Sequence, residues 1–389
     1  MKHLVLAPLL ALASTAAPVA SVASGAEASP VQDGAFESEP LVVTPEQKEA
    51  VETGLRWLAE HQNADGSWSA KVGYKLNNDY RYTRNDDVPH VGVTSLACMA
   101  FLAGGHVPGR GEYGAIVERG LEFVLSAVDD DGFITLYDTR MYSHAFGTLF
   151  LAEIYGMTHR QDVREKLQKA VDFIVTSQNE EGGWRYVPFA PESDMSIVVC
   201  QVLALRAARN IGIRVPKSTV DKAAQYVVDS AIKENQVRGR FRRNFYGEEI
   251  GAFHYQKGEQ SRSSFALTAA GVTALYGVGI YSDEAIERGL EYLRKNLDQN
   301  NYDYGRRARG HYFFWYGHYY AVQAMYTAGN AGDMDYWRPY FETVRAELLG
   351  MQDSRGSWPN GVGPGEAFST AMAVLILEIP YRFLPIFQR

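Results

Sequence analysis

The sequence predicts an all-α chain folded as an (α/α)6 toroid, a closed ring of six helix hairpins. Three observations carry this expectation. The pattern Gln, three residues, Gly, one residue, Trp occurs three times: HQNADGSW at 61–68, SQNEEGGW at 177–184 and MQDSRGSW at 351–358. An amphipathic segment precedes each copy, and an apolar one follows it. No run alternates convincingly with a period of two, so strands are not expected.

The chain opens with MKHLVLAPLLALASTAAPVASVASGA, residues 1–26. Lys2, the apolar run to Ala17 and small residues before Ala23 or Ala26 have the layout of a secretory signal peptide. The run is short for a membrane span, although an uncleaved anchor is the alternative. An exported protein with no membrane span after signal removal is expected, periplasmic or extracellular. Residues 27–44 are acidic, contain proline and lack helical period, which reads as a flexible tether. The toroid then occupies 45–389.

The first outer helix is expected in AVETGLRWLAEHQNADGSW (50–68), the third in KLQKAVDFIVTSQNEEGGW (166–184) and the sixth in ETVRAELLGMQDSRGSW (342–358). Degenerate copies at 117–133, 220–235 and 285–305 supply the second, fourth and fifth. Each is followed by a segment rich in apolar and small residues, which reads as a helix buried on all sides. These inner segments are 91–105, 143–156, 194–212, 261–279, 316–329 and 369–379. An open solenoid is the alternative. The ring is preferred because the motif is strong at both ends, where an open stack carries atypical caps.

The motif itself reads as a structural clamp. Gly66, Gly183 and Gly356 are expected to permit a tight reversal after the outer helix. Gln62, Gln178 and Gln352 are expected to bond backbone groups left open at the helix end. Trp68, Trp184 and Trp358 then cover the joint between repeats. Cys98 and Cys200 lie in apolar helical runs and read as buried free thiols. A net charge of -8 argues against nucleic acid as a partner.

The Gln–Gly–Trp repeats resemble the QW repeats of squalene and oxidosqualene cyclases, which are related to those of protein prenyltransferase β subunits. The resemblance covers about 45–380. It implies a reaction site at the mouth formed by the N-terminal ends of the inner helices. ESDMS (192–196) resembles the Asp-x-Asp-Asp-Thr of bacterial triterpene cyclases, with Asp194 at the place of the proton-donating acid. Glu192 stands for the first Asp, Met195 for the last and Ser196 for the Thr. Read from the residues alone, Ser193 or Asp194 is an N-cap of the third inner helix.

In the fifth repeat, the prenyltransferase zinc ligands fall on Arg309 and His311, and the third falls near Ser369. One possible ligand of three does not make a zinc site, so no metal or other cofactor is expected. Arg306 and Tyr312 fall near positions resembling the diphosphate-binding Lys and Tyr of that family. Together with Arg307 and Arg309 they form either an anion site or a solvated charge run, as does the basic run 237–244.

Other polar residues entering the inner helices are Asp86, Asp87, His90, Tyr142, His144, Glu259, Arg262 and Glu366. His144 joins Asp194 and Glu192 as a catalytic candidate. Arg306, Arg309, His311, Tyr312, His318, Glu259 and Glu366 are ligand-binding candidates. HYFFWYGHYY (311–320) suits an aromatic-lined cavity or core packing. His311 and His318, seven apart, share a face if the helix is unbroken.

The favoured function is an exported toroid handling an isoprenoid or other hydrophobic or anionic small molecule at the mouth, by acid-initiated cyclisation or diphosphate chemistry if it is an enzyme. A non-catalytic ring that binds a protein or ligand is the first alternative. Carbohydrate cleavage is the second, with carboxylate pairs such as Asp86 with Asp194 or Glu259 with Glu366.

Overall fold

Thr44 starts the ring. Its hydroxyl accepts from the Gln47 amide at 3.2 Å, and Pro45 occupies the first helical turn, where its missing N–H costs nothing. From there the computed structural model describes residues 42–76, 79–233, 250–258 and 262–387. The leader at 1–26, the tether up to residue 41, the basic run 237–244 and Glu259 lie outside the described residues.

Outer helices are α1 (Pro45–Glu60), α3 (Gly114–Ser126), α5 (Gln161–Thr176), α7 (Lys217–Asp229), α9 (Glu284–Asn300) and α11 (Met334–Met351). Inner helices are α2 (Val91–Ala103), α4 (Met141–Thr158), α6 (Met195–Asn210), α8 (Phe265–Gly277), α10 (Tyr312–Asn330) and α12 (Glu366–Glu378). Polar residues on one face keep the outer helices half in water, whereas α2 is buried along its whole length. Each inner helix packs on the next, α2 on α4, α6, α8, α10 and α12 in turn, and α12 packs back on α2. On the outside α1 contacts both α11 and α12. The ring is closed.

The clamp works much as expected, with two corrections. The left-handed glycine is Gly182, not Gly183: Gly66, Gly182 and Gly356 have φ of 89°, 89° and 94°. A Cβ on any of them would lie 2.2 to 2.6 Å from a carbonyl oxygen of the next outer helix, so only glycine fits the approach. Gly132 and Gly251 fill the same place in the second and fourth repeats. The second correction concerns glutamine, which spans to the next outer helix instead of finishing its own. Gln62 Nε2 donates to Gly66 O and Ile116 O, Gln178 to Gly182 O and Thr219 O, and Gln352 to Gly356 O and Ala50 O, all at 2.9 to 3.0 Å. The Gln352 bonds tie the last outer helix to the first.

Trp68, Trp184 and Trp358 are fully enclosed, and each indole N–H donates at 2.8 Å to a carbonyl of its own outer helix. The main-chain amides of Trp68, Phe253 and Trp358 donate to Thr94, Thr268 and Thr370 near the start of the following inner helix. The fifth repeat lacks Gly-x-Trp and extends α9 by a π-helical turn, Asn301–Arg307.

Two short pairings that the sequence reading missed sit between α1 and α2. Strand β1 (Ser69–Ala70) pairs with β4 (Val88–Pro89), and β2 (Gly73–Leu76) pairs with β3 (Asp79–Tyr82), all antiparallel. At the C-terminal ends of the inner helices, two 3₁₀ turns form a floor. Ile379–Tyr381 packs on α10 and α12, and Pro385–Phe387 packs on α4 and α6. Cys98 and Cys200 are buried, and neither is in a disulfide among the described residues. Among the described residues no helix is long and apolar enough to cross a membrane.

Candidate functional site

The first turns of four inner helices, α2, α4, α10 and α12, meet around one cavity of about 130 Å3. His90, Gly92 and Val93 come from α2 and its cap, Tyr142 and Ser143 from α4, and Tyr312 and Tyr316 from α10. One turn deeper, Leu96, Phe146 and Met372 make the lining apolar. Tyr74 and Tyr80 reach in from the β2–β3 hairpin, and Tyr186 from the loop after the third clamp. The size is informative. An apolar cavity of about 150 Å3 accepts benzene, so this space holds one ring or a short branched chain, not a folded triterpene.

Behind the tyrosine wall lies Asp194, fully buried. It is the N-cap of α6, and its Oδ1 accepts from the Ile197 amide at 3.1 Å. The same oxygen accepts from the Ser196 hydroxyl, which in turn accepts from the Tyr142 hydroxyl at 2.7 Å. Oδ2 accepts from the Tyr255 hydroxyl at 3.4 Å, and Tyr255 shares a 2.5 Å hydrogen bond with Tyr186. Tyr316 donates to the Ser196 carbonyl at 2.9 Å. Two cavity tyrosines are therefore wired to one carboxylate. Burial, followed by the charge of Asp194, pushes the Tyr255 phenol up to about 12 and raises Tyr186 further. These phenols stay protonated and donate inward.

Arg140 lines the cavity at the cap of α4. Its guanidinium lies 5.4 Å from the Tyr74 ring and 5.5 Å from the Tyr186 ring. Among the described residues its one hydrogen bond is to the Gly73 carbonyl, at 3.3 Å. The preceding Tyr137 and Asp138 both have positive φ, 51° and 65°, in the turn that delivers Arg140 to the rim. His90 caps α2 through its Nδ1, and burial lowers it to about 4, so it is neutral.

The other predicted residues are spread around the ring. Tyr312 reaches the cavity, with its ring 5.9 Å from that of Tyr80. Glu192 is exposed on the rim and pairs with Arg185 at 3.1 Å. His144 accepts from the Ile134 amide at 3.1 Å, which puts it in the place that Thr94, Thr268 and Thr370 hold in other repeats. It is buried between Phe133 and Phe173, and burial lowers it to about 3. Its surroundings are those of a clamp residue, away from the cavity. Arg306 is held by Glu347 through three contacts of 2.7 to 3.0 Å. Arg309 is exposed with φ of 50°.

His311 caps α10 by accepting from Phe313 N at 3.0 Å, so it precedes the helix that carries His318. His318 is buried against Tyr340 and Asn301, at 2.9 and 2.7 Å. The two histidines do not form one site. Glu366 pairs with Arg355 at 3.1 Å, and Asp87 with Lys71 at 2.9 Å. Among the described residues the cavity lining holds a single carboxylate, Asp138. Arg140, Tyr74, Tyr80, Tyr186 and Tyr316 were not picked out as site residues from sequence. The available signal was a pair of tyrosine-bearing alternations around Asn77-Asn78 and an arginine directly before an inner helix.

A family model described as the prenyltransferase alpha-alpha toroid domain matches residues 38–245. A search of curated protein sequences finds no match. Among solved structures, the type II terpene cyclase MstE from Scytonema superposes with a TM-score of 0.56 at 12% identity, covering 88% of this chain and 100% of that one. Cellobiose 2-epimerase from Bacillus thermoamylovorans gives 0.58 at 14% identity, covering 87% and 98%. An inactive alpha-1,6-mannanase variant from Salegentibacter, in complex with alpha-1,6-mannotetrose, gives 0.59 at 9% identity, covering 85% and 98%. At these identities the likeness is one of fold, and it is shared by terpene and sugar enzymes alike.

Proposed function

The chain belongs to the prenyltransferase alpha-alpha toroid family, and from that premise we propose that its mouth binds a small isoprenoid or similarly hydrophobic ligand. The observation that carries this is the cavity of about 130 Å3, walled by aromatic rings and floored by Leu96, Phe146 and Met372. Its volume suits the end of a prenyl chain, with the remainder extending outward. Binding without turnover fits Asp194 best. A carboxylate that accepts from Ser196, Ile197 and Tyr255 is set up as an acceptor, whereas an initiating acid must carry a donatable proton. Carbohydrate cleavage is less well supported, because among the described residues Asp138 is the one carboxylate in the lining. The leader-like residues 1–26 support a site of action outside the cytoplasm.

The test is a titration of intrinsic fluorescence with farnesol, a neutral isoprenoid. Saturable binding is expected, weakened at least about tenfold by Phe368→Asp, which puts a charge in the apolar wall. Absence of saturation, or indifference to that substitution, removes the reading. Conversion of farnesol or a prenyl diphosphate on incubation would replace binding by catalysis.

A further inference from the structure

We infer that the ligand of this cavity ends in a single carboxylate, which pairs with Arg140; this rests on the hydrophobic-ligand reading above. A guanidinium offers five N–H donors. In Arg140 one of them meets the Gly73 carbonyl, at the long distance of 3.3 Å, and among the described residues no carboxylate lies in ion-pair contact with it. Charged groups beside an apolar cavity are ordinarily paired, because desolvating an arginine without a counterion is unfavourable. Three acids of the rim are paired with other cations: Asp87 with Lys71, Asp86 with Arg84 and Glu192 with Arg185. Asp138 lies on the same rim and is exposed, and among the described residues it makes no ion pair with Arg140.

The geometry also selects the anion. The rings of Tyr74 and Tyr186 lie 5.4 and 5.5 Å from the guanidinium, and a guanidinium pairs best with a planar partner that offers two oxygens. Among the described residues Arg140 is the one Lys or Arg in the cavity lining and Asp138 stands beside it, so the several charges of a diphosphate are not matched. Arg306, the residue that resembles a diphosphate ligand, is already neutralised by Glu347. Polarity falls with depth, from Arg140 at the helix cap to Phe146 one turn below. A head-out, tail-in amphiphile matches that gradient.

Decanoate, decanol and decylamine share one chain and differ in the head. By calorimetry, decanoate is expected to bind roughly tenfold or more tighter than decanol, as one charged hydrogen-bonded pair provides. Decylamine is expected to bind weakest. Arg140→Met should bring decanoate and decanol to parity, and Arg140→Lys should keep part of the preference. Equal binding of decanoate and decanol by the unaltered protein, with both saturable, overturns the carboxylate inference and leaves the hydrophobic cavity standing. Absence of binding by all three, together with failure of farnesol, overturns both. Farnesyl diphosphate displacing decanoate at lower concentration, with the advantage lost in Arg140→Met, overturns the choice of a monoanion.

Discussion

Glu153 should make the ring lose stability as pH rises. It sits on α4, is buried, and neighbours Tyr319 of α10; among the described residues its Oε2 has no hydrogen-bond partner. The Ile386 amide, in the C-terminal turn of the floor, donates to the same carboxyl but does not offset burial, which raises Glu153 from 4.5 to about 8. In the unfolded chain this glutamate ionises near 4.5, whereas the folded protein keeps the proton until about 8. Below 4.5 both states are protonated and the full stability is present. Between the two values the folded state binds more protons, so stability falls with pH and levels off above about 8. At ~1.36 kcal/mol per pH unit the interval amounts to about 5 kcal/mol, a large share of the 5–15 kcal/mol typical of a domain.

Glu153→Gln removes the titration and keeps the shape. At pH 4 to 5 the variant should be less stable by about 1–3 kcal/mol, because the new amide group buries donors with no assured acceptor. At pH 8 to 9 it should be the more stable protein by a few kcal/mol. Urea unfolding of both proteins at intervals from pH 5 to 9 gives the comparison, and the crossover is the readout. His90, His144 and His318, each lowered by burial to about 3 or 4, make stability rise with pH below about 6.5. They do so equally in both proteins and cancel in the difference. Parallel profiles for the two proteins would show that Glu153 ionises normally in the fold and refute the argument.

Two further predictions concern the clamp. Gln352→Ala deletes bonds to Ala50 O, the Thr53 hydroxyl and Gly356 O, which share the two N–H groups of one amide, and at about 1 kcal/mol for each N–H it should lower stability by about 2 kcal/mol in urea unfolding. Amide exchange in α1 should quicken with it; a loss under about 0.5 kcal/mol would mean the seam is held by packing alone. Gly182→Ala forces a side chain onto φ of 89° and a Cβ to 2.4 Å from Lys222 O, and should cost about 3 kcal/mol or more. An unfolding midpoint within error of the parent would exclude the tight approach of α7.

The ring was legible because a helix hairpin recurs six times and five of the six carry the same turn. A period-3.6 face, a glycine that alone fits the turn and an apolar plug recur together, and each repeat checks the others. Where the writing is degenerate, legibility fails in specific ways. SQNEEGGW offers two glycines, and only the count from Gln178 identifies Gly182 as the left-handed one. His144 looked like chemistry because histidine is rare and polar; its place matches the threonines of the other clamps once the chain is folded. His311 and His318 share a helix face only if the helix starts before His311, and it starts at Tyr312. The site was less legible still. Strands of two and four residues lie below what alternation can reveal, and Arg140 gains its meaning from Tyr74, 66 residues upstream (140 − 74).

The mouth therefore separates two jobs that a sequence motif runs together. Residues 192–196 read as a proton donor by resemblance and as a helix cap by propensity, and the cap places Asp194 where Ser196 and Tyr255 reach it. Tyr142 and Tyr186 are thereby tied by their hydroxyls to the rear, and their rings face the cavity. Leaving those hydroxyls unpaired would cost about 1–3 kcal/mol apiece, so the network fixes ring positions before a ligand arrives. A wall already ordered loses little entropy on binding. Selectivity then passes to the group that the network leaves unsatisfied, and on this rim that group is the Arg140 guanidinium.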